Sequence, residues 1–388
     1  PLADLCQRLR QANVETLTRT TLRQLVADMP QTVMMYDKEE HIPGGIGEDD
    51  LMLHTHEECL RDKRKQAENF RHIEEESNKY HAQRIIQRVD GRYTVVNPPY
   101  PPMSQAELDH SFDLPYTRLP HPKYKGKRIP AYDMIKFSVN LHRGCFGGCA
   151  FCTISAHQGK FIVSRSKESI LREVEAITRM PDFKGHLSDL GGPSANMYAM
   201  QGHDLALCQR CKRPSCIHPK VCPNLNTDHR PLLDIYHAVD ALPGIKKSFI
   251  GSGVRYDLLL HESKDPSINK AAKEYTRELI AKHVSGRLKV APEHTEDSVL
   301  KLMAKPSFKL FERLRMEFDN IVYSSGKKCE LVPYFISGHP GCGMREMQRL
   351  ARTPALKGLY MDQVQDFTPT PMTTSSVMFY TGLDPKNL

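Results

Sequence analysis

The chain has 388 residues, 39% of them hydrophobic, with 54 Lys and Arg against 46 Asp and Glu and a formal charge of +8. That much apolar material supports a large core, expected in two domains, and no run of 18 apolar residues is present to cross a membrane as a helix. The modest positive excess fits anionic ligands or nucleic acid and establishes neither.

The chain opens on Pro1 without a Met and is expected to be a fragment, its upstream piece free to carry targeting information. Residues 1–96 are polar and loosely patterned. They are expected to form a smaller, largely helical and irregular region with one charged helix over 57–88, its sparse apolar stripe being Leu60, Ala67, Phe70 and Ile73. Residues 97–130, with Asn97-Pro-Pro-Tyr-Pro-Pro102, read as a proline-stiffened connector. Its basic run Lys123, Lys125, Lys127 and Arg128 reads as solvated.

From residue 131 to 388 the pattern becomes strand, glycine or proline corner, helix, repeated. Strands are expected at 135–141, 185–190, 247–251, 286–291, 329–336 and 362–367. Amphipathic helices fall between them, such as 166–180 with Ile170, Leu171, Val174 and Ile177 inward, and 270–283 closed by Ser285-Gly286. Alternation of this kind predicts an α/β fold, a partial (β/α)6 parallel barrel, with ligands at the carboxyl ends of the strands. At those ends stand Gly191-Gly192-Pro193, Gly251-Ser252-Gly253-Val-Arg255, Ala291-Pro292-Glu293-His294, Ser337-Gly-His339-Pro-Gly341 and Thr368-Pro-Thr-Pro371. Each is an ordinary turn by itself; in series on successive strands they favour a shared cavity.

After the first expected strand come three thiols at Cys-x3-Cys-x2-Cys spacing, Cys145, Cys149 and Cys152, on a loop loosened by Gly144, Gly147 and Gly148. Three thiolates fill three corners of a four-iron cubane and leave one iron open to an exogenous ligand. A zinc knuckle is the alternative, although it wants a fourth ligand close by. A second group, Cys208, Cys211, Cys216 and Cys222, lies in an insertion at about 200–230, interleaved with Arg210, Lys212, Arg213 and Lys220. Four ligands suit zinc or a second iron–sulfur cluster, the metal left open. Metal thiolates rather than disulfides point to a reducing, cytoplasmic setting. Cys6, Cys59, Cys329 and Cys342 are isolated and read as buried small hydrophobes.

The triplet, with Phe151 just before its last Cys, resembles the signature of the radical S-adenosylmethionine (SAM) superfamily. Arg143-Gly-Cys-Phe-Gly-Gly-Cys-Ala-Phe-Cys152, Ser188-Asp-Leu-Gly-Gly-Pro-Ser-Ala-Asn-Met-Tyr198, Ser252-Gly-Val-Arg-Tyr-Asp257, Lys289-Val-Ala-Pro-Glu-His-Thr295 and Gln365-Asp-Phe-Thr-Pro-Thr-Pro-Met372 are similar, more narrowly, to the YgiQ family. The resemblance runs from about Asn97 to the C-terminus and implies the same barrel, a [4Fe-4S] cluster on the triplet, SAM chelated by its open iron, and an electron donor such as flavodoxin or ferredoxin. In that superfamily a reduced cluster splits SAM to a 5'-deoxyadenosyl radical, which abstracts hydrogen. Gly191 and Gly192 match the pair that meets the methionyl amino group, with Pro193 where an acidic residue is usual, so backbone carbonyls would accept from the ammonium. Ser252 and Arg255 stand as contacts for ribose and carboxylate, the alternative for Arg255 being an ion pair with Asp257. Val290, Ala291 and Pro292 are expected against adenine, and Glu293 against SAM or substrate unless it starts a helix with Thr295-Glu-Asp-Ser. Cobalamin use stays open. The competing readings are a metal-binding nucleic-acid module on the second cysteine group, which lacks a stacking aromatic, and a radical SAM enzyme that modifies RNA.

Overall fold

The computed structural model describes residues 2–12, 17–361 and 363–388, in two compact units. One comprises Pro1–Pro102, Ala206–Arg213 and Ser376–Leu388; the other comprises Met103–Leu205 and Pro214–Ser375. Among the described residues no helix is long and apolar enough to cross a membrane.

The first unit is built on a sheet where sequence led us to expect helix and irregular chain. Its strands are β1 (Val33–Tyr36), β2 (Leu51–Met52), β3 (Ile85–Val89) and β4 (Arg92–Val96), in the order β1-β4-β3-β2. Ile42, Ile86 and Val95 form its buried centre. The helix expected over 57–88 is two helices, His56–Arg61 and Lys63–Ser77, after which the chain turns into β3. Within them Ala67 and Phe70 are buried while Leu60 is exposed. The break has a local cause: Asp62 is extended (φ −131°, ψ 105°), ending the first helix and capping the second by accepting from Arg64 N–H. Further on, Asp90-Gly91 sits between β3 and β4 with φ of 50° and 75°, the two-residue turn whose positive angles match the twist of a hairpin. Space is open around Gly91, so Gly91→Ala should cost only the left-handed strain, about 1–2 kcal/mol. A urea midpoint unchanged by that substitution would show that the turn re-forms otherwise.

In the second unit the six expected strand positions recur in sequence order. They are β5 (Ser138–Asn140), then, past the short antiparallel pair β6 (His142–Arg143) and β7 (Val163–Ser164), β8 (His186–Leu187) with β9 (Asp189–Gly191), β10 (Lys247–Ser248), β11 (Arg287–Glu293), β12 (Glu330–Ser337) and β13 (Val364–Asp366). The first residue of the expected 362–367 strand lies outside the described residues. β5 pairs with β9, β8 with β10, and β12 with both β11 and β13, every pair parallel. Helices alternate with these strands, including Lys167–Thr178, Arg230–Asp240, Pro266–Glu278, Phe308–Ser325 and Met344–Ala351, which makes the unit α/β.

The barrel itself is not drawn by these ladders. They form two pairs and one run of three, and ahead of that run Ile250 N–H bonds the His283 carbonyl, 3.0 Å away, instead of β11. His283 closes a widened helical turn, Leu279–His283, that follows Pro266–Glu278. Strand β10 is only two residues long, and the glycine-rich segment after it leaves the ladder early. Val139, Leu190, Tyr236, Tyr275, Leu288, Phe311 and Phe335 belong to one continuous core between strands and helices. Helix Lys167–Thr178 shows why the sequence reading worked here: Ser166 caps it by accepting from Ser169 N–H, and Ile170, Val174 and Ile177 are buried on one face.

Candidate functional site

The thiol loop follows β6 and is held by several backbone contacts. Gly144 adopts φ +90°, and a Cβ there would lie 2.2 Å from the Phe161 carbonyl oxygen. Gly148, at φ +60°, backs onto Pro214 O at 2.5 Å in the same sense. Cys145 N–H donates to Gly159 O (3.0 Å) and Cys152 N–H to Cys149 O (3.1 Å). Ala150 N–H donates to Met303 O, and Ala150 O accepts from Ser375 N–H, each at 2.9 Å. Phe146 and Ala150 are the loop's buried apolar anchors, and all three thiols are half-buried. Burial raises the Cys145 thiol, opposed by the Arg255 charge, and pushes Cys152 up to about 11. A metal would supply the opposing pull, since it binds the thiolate. Among the described residues no three His, Cys, Asp or Glu side chains gather as a single metal ion would require. The corners of a cubane each take one thiolate, so its donors stand further apart than those of one ion.

A cavity of about 350 Å³ adjoins the loop. Pro193 and Ser194 beyond β9, Gly251 and residues 253–257 beyond β10, Lys289, Val290 and Ala291 of β11, Tyr334 of β12, and Lys305 with Pro306 line it, whereas Gly191, Gly192 and Ser252 are not among the lining residues. Two of these residues also reach the thiols: Ser194 Oγ lies 3.9 Å from Cys145 Sγ, and Arg255 Nη1 lies 3.3 Å from Cys149 Sγ. Cavity and thiols are therefore one site. The buried Tyr256 hydroxyl, on the cavity wall, has no hydrogen-bond partner among the described residues, and burial drives its pKa upward. An orphaned hydroxyl beside thiols, Arg255 and Asp257 fits a polar ligand that brings its own partner. The donor set of three thiols on one loop fits a cluster with an open corner.

The other expected contacts divide. Ser252 Oγ donates to Asp189, whose carboxylate also accepts from Gly251 and Ser252 N–H at 2.9 and 3.1 Å. A Cβ on Gly191 would meet Ser252 Oγ at 2.8 Å and Asp189 Oδ1 at 2.9 Å, so Gly191 lets this network close. Gly192 turns its missing side chain toward the buried His142 ring, 2.4 Å from Cε1, and away from ligand space. Gly192→Ala is accordingly expected to destabilise by roughly 1–3 kcal/mol through overpacking, read as a lowered denaturation midpoint; no change would show that His142 can swing aside. Arg255 forms the ion pair with Asp257, Nη2 to Oδ2 2.5 Å. Val290 lines the cavity, whereas Pro292 is buried and is not among its lining residues. Glu293 does not start a helix: helix Asp297–Leu302 begins after Glu296. Glu293 is instead a buried β11 residue with φ +68°, 3.5 Å from Lys305 Nζ. Phe151 packs edge-on against His339, ring centroids 6.3 Å apart. Cys208 and Cys211 lie in the first unit, Cys216 and Cys222 in the second.

Sequence reasoning missed Asp189, Asn196, Tyr256 and Lys305 as site residues. Asp189 and Asn196 flank the matched Gly191-Gly192 pair in sequence, which was the available signal for them; nothing local marks Lys305. Three further histidines matter for stability. Burial holds His142, His229 and His339 neutral, lowering each pKa from 6.5 to about 4. Between those values the unfolded chain takes up protons that the folded chain refuses. Stability is therefore complete above about pH 6.5 and falls as pH drops toward 4, by at most about 1.4 kcal/mol per unit for each group. Urea midpoints at pH 7 and 5 measure it, and equal values would contradict it.

Comparison with known proteins shows what the chain is similar to. A family model described as Radical SAM N-terminal matches residues 4–138. A UPF0313 protein of Bacteroides thetaiotaomicron is 64% identical over 391 residues, covering 100% of this chain and 63% of that protein. The UPF0313 protein YgiQ of Escherichia coli K12 is 44% identical over 336 residues, covering 86% of this chain and 44% of its own. The chain thus spans only part of the length of the curated relatives it matches. Among solved structures, the cobalamin-dependent SAM radical enzyme OxsB covers 64% of this chain at 14% identity and a TM-score of 0.38, too distant to bear on residue roles.

Proposed function

This chain belongs to the UPF0313 (YgiQ) family of radical SAM proteins, and from that premise we propose that it is a radical SAM enzyme. Cys145, Cys149 and Cys152 would hold a [4Fe-4S] cluster, and SAM would occupy the adjoining cavity. The observation that carries this reading is the joining of thiols and cavity through Ser194 and Arg255. When bound, the cluster would supply an open iron and one low-potential electron, the means of splitting SAM to a 5'-deoxyadenosyl radical that takes hydrogen from a second substrate.

The chain's own residues do the rest. Pro193, Ser194 and Gly251 form the wall beyond β9 and β10, the Asp189–Ser252 network ties the two segments together, and backbone carbonyls at residues 191–193 can accept from an ammonium. Val290 and Ala291 offer an apolar surface for a purine. Tyr256 brings a hydroxyl in need of a partner, and Lys305, whose hydrogen bond to Glu293 is a long one, has three N–H donors, enough to serve an anionic oxygen as well. A one-electron donor such as flavodoxin or ferredoxin completes the partners this chemistry requires. The test is anaerobic reconstitution with iron and sulfide, then SAM and dithionite, with 5'-deoxyadenosine as the product sought. Protein that binds iron and forms none of it would overturn the proposal.

A further inference from the structure

Arg255 is confined more tightly than a ligand-gripping residue needs to be. Its Nε and Nη2 form a fork onto Asp257, 3.0 and 2.5 Å. Asn196 brackets its backbone, accepting from Arg255 N–H at 2.8 Å and donating to its carbonyl at 3.0 Å. The remaining Nη1 aims at Cys149 Sγ, 3.3 Å away. Room for it exists because residue 147 is glycine: a Cβ there would lie 2.7 Å from Nη1. Burial opposes the guanidinium's charge, but Asp257 and the neighbouring sulfurs keep it firmly protonated. With three of its five N–H groups committed and its backbone bracketed, the guanidinium has little freedom to move after a carboxylate.

The geometry points to Arg255 as a positioning residue for the three-thiol site: a fixed positive charge whose N–H donates to the Cys149 sulfur and raises the reduction potential of the cluster held there. Reduction adds one negative charge to the cluster, and a nearby cation and an N–H donor to a ligating sulfur both favour the more negative state. The inference rests on the cluster reading above, and it removes Arg255 from the SAM carboxylate, leaving that group to Lys305 or the open iron.

The experiment is a dithionite titration of the reconstituted full chain, with the midpoint potential read by electron paramagnetic resonance beside iron content and SAM binding. Arg255→Gln should keep its iron and titrate at a more negative potential with SAM binding little changed; Arg255→Lys, which restores charge without the fork, should recover part of the shift. Gly147→Ala displaces the same guanidinium by one methyl and should shift the potential in the same direction. Should Arg255→Gln fail to hold iron, Gly147→Ala decides, and an unmoved potential there overturns the assignment. An unmoved potential with a large loss of SAM binding in Arg255→Gln would also overturn it, returning Arg255 to the carboxylate. Wild-type protein that takes up no iron defeats the cluster reading and this inference together, whereas a wild-type cluster indifferent to both variants defeats this inference alone.

Discussion

The variant with Cys145, Cys149 and Cys152 all replaced by Ala should fold normally, hold no iron at the loop after anaerobic reconstitution, and form 5'-deoxyadenosine only at background level. Normal folding follows from how the loop is built: its buried anchors are Phe146 and Ala150, its shape comes from backbone hydrogen bonds, and its thiols are only half-buried. Removing three half-buried sulfurs therefore costs little packing. Arg255 loses its contact with Cys149 but keeps its fork on Asp257, so no buried cation is stranded. Circular dichroism, iron and sulfide analysis and product assay together check this. Undiminished 5'-deoxyadenosine would sink the enzyme reading. Iron or zinc still bound would place metal on other cysteines.

Gly144→Ala should be the most damaging single change in the loop that touches no sulfur. Two costs add. An L residue at φ +90° is strained by about 1–2 kcal/mol, and the new Cβ would stand 2.2 Å from the carbonyl oxygen and 2.9 Å from the carbonyl carbon of Phe161. Those are backbone atoms, so no side-chain rotation relieves the clash, and overpacking contributes roughly another 1–3 kcal/mol. We expect a total of roughly 2–5 kcal/mol, seen as a lower thermal midpoint and poor iron retention. A variant with wild-type midpoint and full iron would mean that the loop is pliable and that the thiols are not preorganised.

Legibility in the sequence followed the range of the interactions. The thiol triplet, the six strand positions and helix Lys167–Thr178 rest on local periodicity and spacing, and all could be read. The capping box of Ser104 with Glu107, which starts helix Gln105–Phe112 in the stretch read as a connector, was also local, but the surrounding prolines masked it. Asp90-Gly91 was a readable hairpin signal overlooked because the charged stretch before it looked continuously helical. The turn of Gly192 toward His142, the seat of Lys305 beside Glu293 and the orphaned Tyr256 hydroxyl depend on residues far apart in sequence, and no one-dimensional pattern carries them. The missing ladder between β10 and β11 arises from a helix's last turn widening at Leu279–His283, which residue types alone do not announce.

Ala150, between the second and third thiols, has both its backbone polar groups committed to partners far downstream, Met303 and Ser375. During synthesis the three cysteines leave the ribosome long before either partner does, so for that interval the loop is a solvated, open chain. Its final shape waits for residue 375, and a cofactor delivered earlier would meet thiols not yet held apart at their final spacing. A cluster on this loop would therefore mature only after Ser375 has been made, and a chain stopped short of Ser375 would carry every cysteine of the loop without the clamp that sets them.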